Sequence, residues 1–177
     1  DMHSKIHSGE GTFSTWEYAK DIALSLASNN TNLHNNVQVI TNNRIIDRRK
    51  VSYNDKLLEL EISKMNIEFD SNYSEIYKKI FHYFQHGTNF FYITPILPPH
   101  KILKHLDQIL KIKDKASSFT FIGINPNIFL KKVDKEKDDR KSEQNSFLQN
   151  TREYTDNFQN EIIPILARYG IKVCIAS

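Results

Sequence analysis

Cysteine is nearly absent: Cys174 stands alone in 177 residues, which excludes an internal disulfide and a cysteine-based zinc cluster. Its apolar setting, "IKVCIAS", predicts a buried, inert thiol. Glycine and proline are scarce at five each, which argues against a fibrous or low-complexity chain. Long apolar runs are missing too. No stretch approaches the ~20 apolar residues of a membrane-spanning helix, and no basic-then-apolar leader opens the chain. A soluble protein, cytoplasmic by default, is the expectation. Charge of one sign is also lacking. The 24 basic residues nearly balance 21 acidic ones, so an anionic partner is permitted but not required. No convincing His/Cys/Asp/Glu ligand set occurs, so neither metal nor cofactor is expected.

What remains is the composition of a folded chain, 39% apolar and 25% charged. Its length suits one domain over residues 1–177, since a chain of about 150 residues buries roughly 70% of its unfolded surface. "STWEYAKDIALSLAS" repeats apolar residues at helical spacing, and Ser14 with Glu17 forms a capping box. "VQVIT", 37–41, has strand character. The segment 44–69 reads either way, as "KLLELEI" illustrates, and stays unassigned.

A regular alternation follows. "SNYSEIYKKIFHYFQHG" places Tyr73, Ile76, Tyr77, Ile80, Phe81 and Phe84 on one helical face, with Ser71 as candidate cap and Gly87 as stop. Strand "NFFYITPIL", helix "HKILKHLDQILKI", strand "SFTFIGI", a helix around "NFQNEIIPILARYG" and strand "IKVCIAS" come next. Such alternation predicts an α/β fold with a parallel or mixed sheet and helices on both faces. Ligands in such sheets collect at the carboxyl ends of strands, which here are Thr94-Pro95, Asn125-Pro126-Asn127 and Ala176-Ser177. "KKVDKEKDDRK", 131–141, alternates sign and reads as a solvated loop, whereas Arg48, Arg49 and Lys50 form the densest basic spot, a candidate phosphate contact.

The opening "HSKIHSGEGTFSTWE" admits three readings. It can be a frayed terminus whose glycines turn into the first helix. It can be a phosphate cradle, with Gly9 and Gly11 letting backbone N–H groups approach an anion before a helix start. A dinucleotide fingerprint would want a third glycine where Ser14 stands, so this second reading favours a nucleotide-sugar binding, glycosyltransferase-like domain over a dehydrogenase. The third is phosphodiester chemistry. His3 and Lys5, two apart, share a face if their segment is a strand and can reach one phosphate together.

His3-x-Lys5, four residues and Glu10, followed by "GTFS", resembles the histidine-lysine-aspartate motif of the phospholipase D-like superfamily. "FFYITPILPPHKILKHLDQIL", "FTFIG" and "ARYGIKVCIAS" are similar to the strand, helix, strand and Gly-Val-Lys-Val-type strand that precede such a motif in one lobe of that fold. The resemblance implies a bilobal architecture of which this chain spans parts of two lobes. It implies hydrolysis of a phosphodiester, in nucleic acid or phospholipid, through a histidine nucleophile without metal. It makes His3, Lys5 and Glu10 catalytic and Ser14 a substrate contact, while Asn125 and Asn127 at their strand end and Arg48 and Arg49 in the basic spot are the other candidate substrate contacts. Two departures stand out: glutamate replaces the family's aspartate at Glu10, and no second His-x-Lys occurs. A homodimer or a second lobe would supply the partner histidine. A non-catalytic nucleic-acid or protein interaction module is the remaining alternative.

Overall fold

A computed structural model of the chain describes residues 9–10, 13–32, 36–41, 45–47, 55–65, 73–129 and 152–176. A two-residue hairpin, β1 (Gly9–Glu10) and β2 (Phe13–Ser14), leads into α1 (Thr15–Asn32). A second hairpin follows, β3 (Gln38–Ile40) antiparallel to β4 (Ile45–Asp47). Next come α2 (Asp55–Ser63) and α3 (Tyr73–Tyr83). The stretch 44–69, ambiguous by pattern, thus holds a short strand and a helix, and "KLLELEI" is helical. Its Ile62 is buried while Leu60 is exposed.

The alternating half then runs β5 (Asn89–Pro95), α4 (Pro99–Lys104), α5 (Leu106–Lys115) and β6 (Ser118–Ile124). Residues 152–157 are helical and continue through a π-helical turn, Phe158–Ile162, into α6 (Ile163–Arg168) and β7 (Lys172–Ala176). The π turn has a visible cause. Pro164 has no N–H for the carbonyl four residues back and its ring crowds that carbonyl, so the turn before it widens, with Ile163 N–H donating to the Phe158 carbonyl five residues earlier. After α6 the chain stops in a Schellman motif: Gly170, at φ +71°, donates to the Ala167 carbonyl and Ile171 to the Leu166 carbonyl.

Strands β5, β6 and β7 form a parallel sheet in chain order, as the alternation predicts. Register puts Tyr92, Phe121 and Val173 in one row and Ile93, Ile122 and Cys174 in the next, and successive rows face opposite sides. On the first face, Phe90 pairs with Phe119 at 5.0 Å between ring centroids and Tyr92 with Phe121 at 5.4 Å, and Phe158 meets Phe121 at 5.6 Å. Ile109 and Ile112 of α5, Ile162, Leu166 of α6, and Tyr77 and Ile80 of α3 complete that core. Both crossover units lie on this face, as expected of successive βα units stepping the same way across a sheet with the usual right-handed connection. The other face is covered by α1, whose Tyr18, Ala19 and Ile22 cluster with Ile93, Ile124 and Ala176. The expected α/β fold with helices on both faces is therefore present, and no described helix is long and apolar enough to cross a membrane.

Three local expectations need correction. Cys174 is exposed, not buried: "KVCIA" alternates, so Val173 and Ile175 point into the core while Lys172 and Cys174 lie on the stretch of the second face that α1 does not reach. Gly87 is not the stop of α3, which ends at Tyr83; at φ +80° it instead makes the turn into β5, with its N–H on the Lys115 carbonyl. The single helix read from "HKILKHLDQILKI" is two, because His105 leaves helical geometry and closes a tighter bond to the Ile102 carbonyl.

Phe121 is fully buried at the centre of the sheet, so Phe121→Ala is expected to cost about 3–5 kcal/mol in urea unfolding. The exposed Leu103→Ala is expected to stay within about 0.5 kcal/mol. His105 supplies a pH dependence. Burial, then the neighbouring Lys104 charge, lowers its pKa below the usual 6.5, so the unfolded chain takes up a proton first as pH falls. This contribution costs no stability above pH 6.5 and opposes folding progressively below it. Between pH 7.5 and 5.5 the urea midpoint of wild type is expected to fall further than that of His105→Gln.

Candidate site at the carboxyl edge of the sheet

The three parallel strands end together, and the chain beyond them keeps their ladder: Ile96 N–H donates to the Ile124 carbonyl at 2.9 Å and Asn125 N–H to the Ala176 carbonyl at 3.0 Å. Asn125 then folds the loop on itself, its Oδ1 accepting the Asn127 N–H at 3.0 Å. This is the Asx turn for which asparagine is suited. Asn127 Nδ2 donates to Thr155 Oγ1 at 3.2 Å, which ties the loop after β6 to the helical segment before the π turn. Among the described residues Asn127 Oδ1 is buried without a hydrogen-bond partner, an acceptor whose desolvation they do not offset. Thr94 at the end of β5 is fully buried, with its hydroxyl donating to the Pro95 carbonyl at 3.2 Å.

The start of α1 comes to the same edge. Ser14 Oγ accepts the Glu17 N–H at 3.2 Å, so the serine is the N-cap that the Ser14/Glu17 pattern predicts. Ser14, Thr15 and Trp16 are buried. Tyr18, in the first turn, packs on Phe129 with ring centroids 5.8 Å apart, and Phe129 closes the Asn125–Asn127 loop through its N–H on the Pro126 carbonyl. The amino-terminal end of an 18-residue helix, with its partial positive charge, is thereby set beside the carboxyl edge of a parallel sheet.

Of the residues singled out by sequence, Ser14, Asn125 and Asn127 are brought to this one edge. Glu10 sits in β1 opposite Phe13, four residues before the cap. His3, Lys5, Arg48 and Arg49 lie outside the described residues. Thr155 was not foreseen, and nothing in "TREYTDNFQNE" marks it, because its part is set by the distant Asn127. Among the described residues no group of three His, Cys, Asp or Glu side chains could hold a metal ion. No protein-family model, no curated protein and no solved structure matches the chain.

Removing the cap tests the placement of α1. Ser14→Ala is expected to lower stability by about 1 kcal/mol in urea unfolding, whereas Ser14→Asp, which also caps, should retain most of it.

Proposed function

We propose that the chain carries one half of a metal-independent phosphodiester hydrolase of phospholipase D-like type, with His3 as nucleophile. The observation that supports this is the seating of α1. The helix that follows the His3-Lys5-Glu10 stretch has its first turn at the carboxyl edge of a parallel sheet, Tyr18 packing on Phe129 at the end of the loop that holds Asn125 and Asn127, where α/β sheets bind ligands.

In this reading an imidazole nitrogen of His3 attacks phosphorus, forming a P–N bond as the P–O bond to the leaving alcohol breaks. A partner histidine, from a second copy or a second lobe, donates the proton that the leaving oxygen takes. The same partner then accepts a proton from water as the water oxygen attacks phosphorus, breaking the P–N bond and returning His3. Lys5 balances charge growing on the phosphoryl oxygens. Glu10 orients an imidazole and steadies its cationic form. Asn125 and Asn127 offer hydrogen bonds to substrate, and Arg48 and Arg49 extend contact along a phosphate backbone.

The test is product release from labelled single-stranded DNA, duplex DNA, RNA and phosphatidylcholine in excess EDTA, using the protein with its partner lobe or as a dimer. His3→Ala is expected to reduce turnover to background. Lys5→Ala should cost about 10²–10³-fold through lost transition-state stabilisation, and Glu10→Gln less than either. Equal cleavage by wild type and His3→Ala, or none by wild type, defeats the proposal. Salt-sensitive nucleic-acid binding without cleavage would point instead to an interaction module, with Arg48 and Arg49 the first residues to replace.

A further inference from the structure

A cavity of about 440 Å³ lies alongside the amino-terminal part of β5, bounded by α1, β3 and α3, with Trp16, Ala23, Met65, Ile76 and Phe91 among its walls. It faces Asn89–Ile93, whereas the candidate reaction site lies past the other end of that strand, so the two are separate and neither depends on the other. The volume falls within the ~300–1,000 Å³ of small-molecule sites, which are mostly apolar with a few placed polar groups.

The polar side chains on its walls are neutral amides and hydroxyls apart from one cation. No carboxylate occurs among the described lining residues, and Lys20 is the only charged one. Its side chain is 13% exposed, with Nζ 2.8 Å from Glu17 Oε1 and 5.8 Å from the Trp16 ring centre. An ammonium has three protons to place, and the Glu17 carboxylate engages one side of it. Gln38, also on the wall, has its amide nitrogen buried with no hydrogen-bond partner among the described residues. Tyr77 lines the cavity as a neutral phenol, its pKa pushed up to about 12 by burial against the opposing pull of Tyr92.

A largely apolar chamber with one cation and no carboxylate among its described walls selects an apolar body with an anionic head. We infer that the cavity between α1, β3, α3 and β5 binds a small amphiphilic carboxylate, a medium-chain fatty acid being the simplest example. Its carboxylate is received by Lys20 and its chain lies among Ala23, Ile76 and Phe91. Glu17, whose side chain is 34% exposed, can turn to water as the second anion arrives.

Trp16 is the only tryptophan in the chain and lines the cavity, so its fluorescence reports on occupancy. Brominated decanoic acid, kept below micellar concentration, is expected to quench it saturably, with plain decanoate competing. Lys20→Met keeps the apolar stem and should weaken decanoate about tenfold, the worth of one hydrogen bond to a charged group, while leaving decanol unchanged. Ala23→Phe fills the chamber and should abolish both, with circular dichroism reporting its fold. Should that variant unfold, Lys20→Met still decides. Absence of saturable quenching, decanol binding as tightly as decanoate, or unchanged decanoate affinity in Lys20→Met overturns the inference.

Discussion

A parallel strand cannot be joined to its neighbour by a tight turn, and a sheet built of such strands must be covered on both sides. β6 imposes that constraint on this protein. It lies between two parallel partners, its Phe121 and Ile124 are wholly buried, and they point to opposite faces. The crossovers that parallel pairing requires, α4 with α5 and the helix ending in α6, take up the Phe121 face together with α3. The Ile124 face needs a cover from elsewhere in the chain, and α1 provides it.

That role gives α1 two faces to satisfy. Tyr18, Ala19 and Ile22 turn to the sheet, while Trp16, Leu24 and Ala27 pack with Ile46, Ile62 and Met65 from β4, α2 and the residues just after α2. The helix therefore joins the β3–β4 hairpin and α2 to the sheet. Between these elements it also leaves space, and the chamber beside β5 is that space. One helix thus sets both places where a ligand could be held: its capped start at the carboxyl edge, and its middle along the chamber wall.

Much of the fold was legible because βα alternation writes itself in the spacing of apolar residues. Tyr77, Ile80 and Phe84 at helical intervals, and the apolar runs at Phe90, Phe121 and Val173, all join one core. The N-cap at Ser14 was legible for a local reason, since a cap needs only its own first turn. Where the sequence misled, tertiary context decided. Cys174 sits in an apolar run, yet its exposure depends on how far α1 extends over an edge strand. "KLLELEI" is compatible with two periods, and packing of Ile62 against Trp16 and Ile46 favours the helix. At the carboxyl edge, Asn125 and Asn127 were readable as residues at a strand end, but the Asn127–Thr155 bond joins residues 28 apart and left no mark in either segment.

The central claim is that α1 lies on the Ile124 face with its first turn against the loop after β6. The most direct measurement is a nuclear Overhauser spectrum of the protein with labelled aromatic side chains. Tyr18 and Phe129, with ring centroids 5.8 Å apart, are predicted to show strong cross-peaks, and Ala19 to appear in the same cluster with Ile124. Cross-peaks from Tyr18 to Phe158 or Leu166, which lie on the opposite face, with none to Phe129, would contradict the placement of α1 and with it the site at the carboxyl edge.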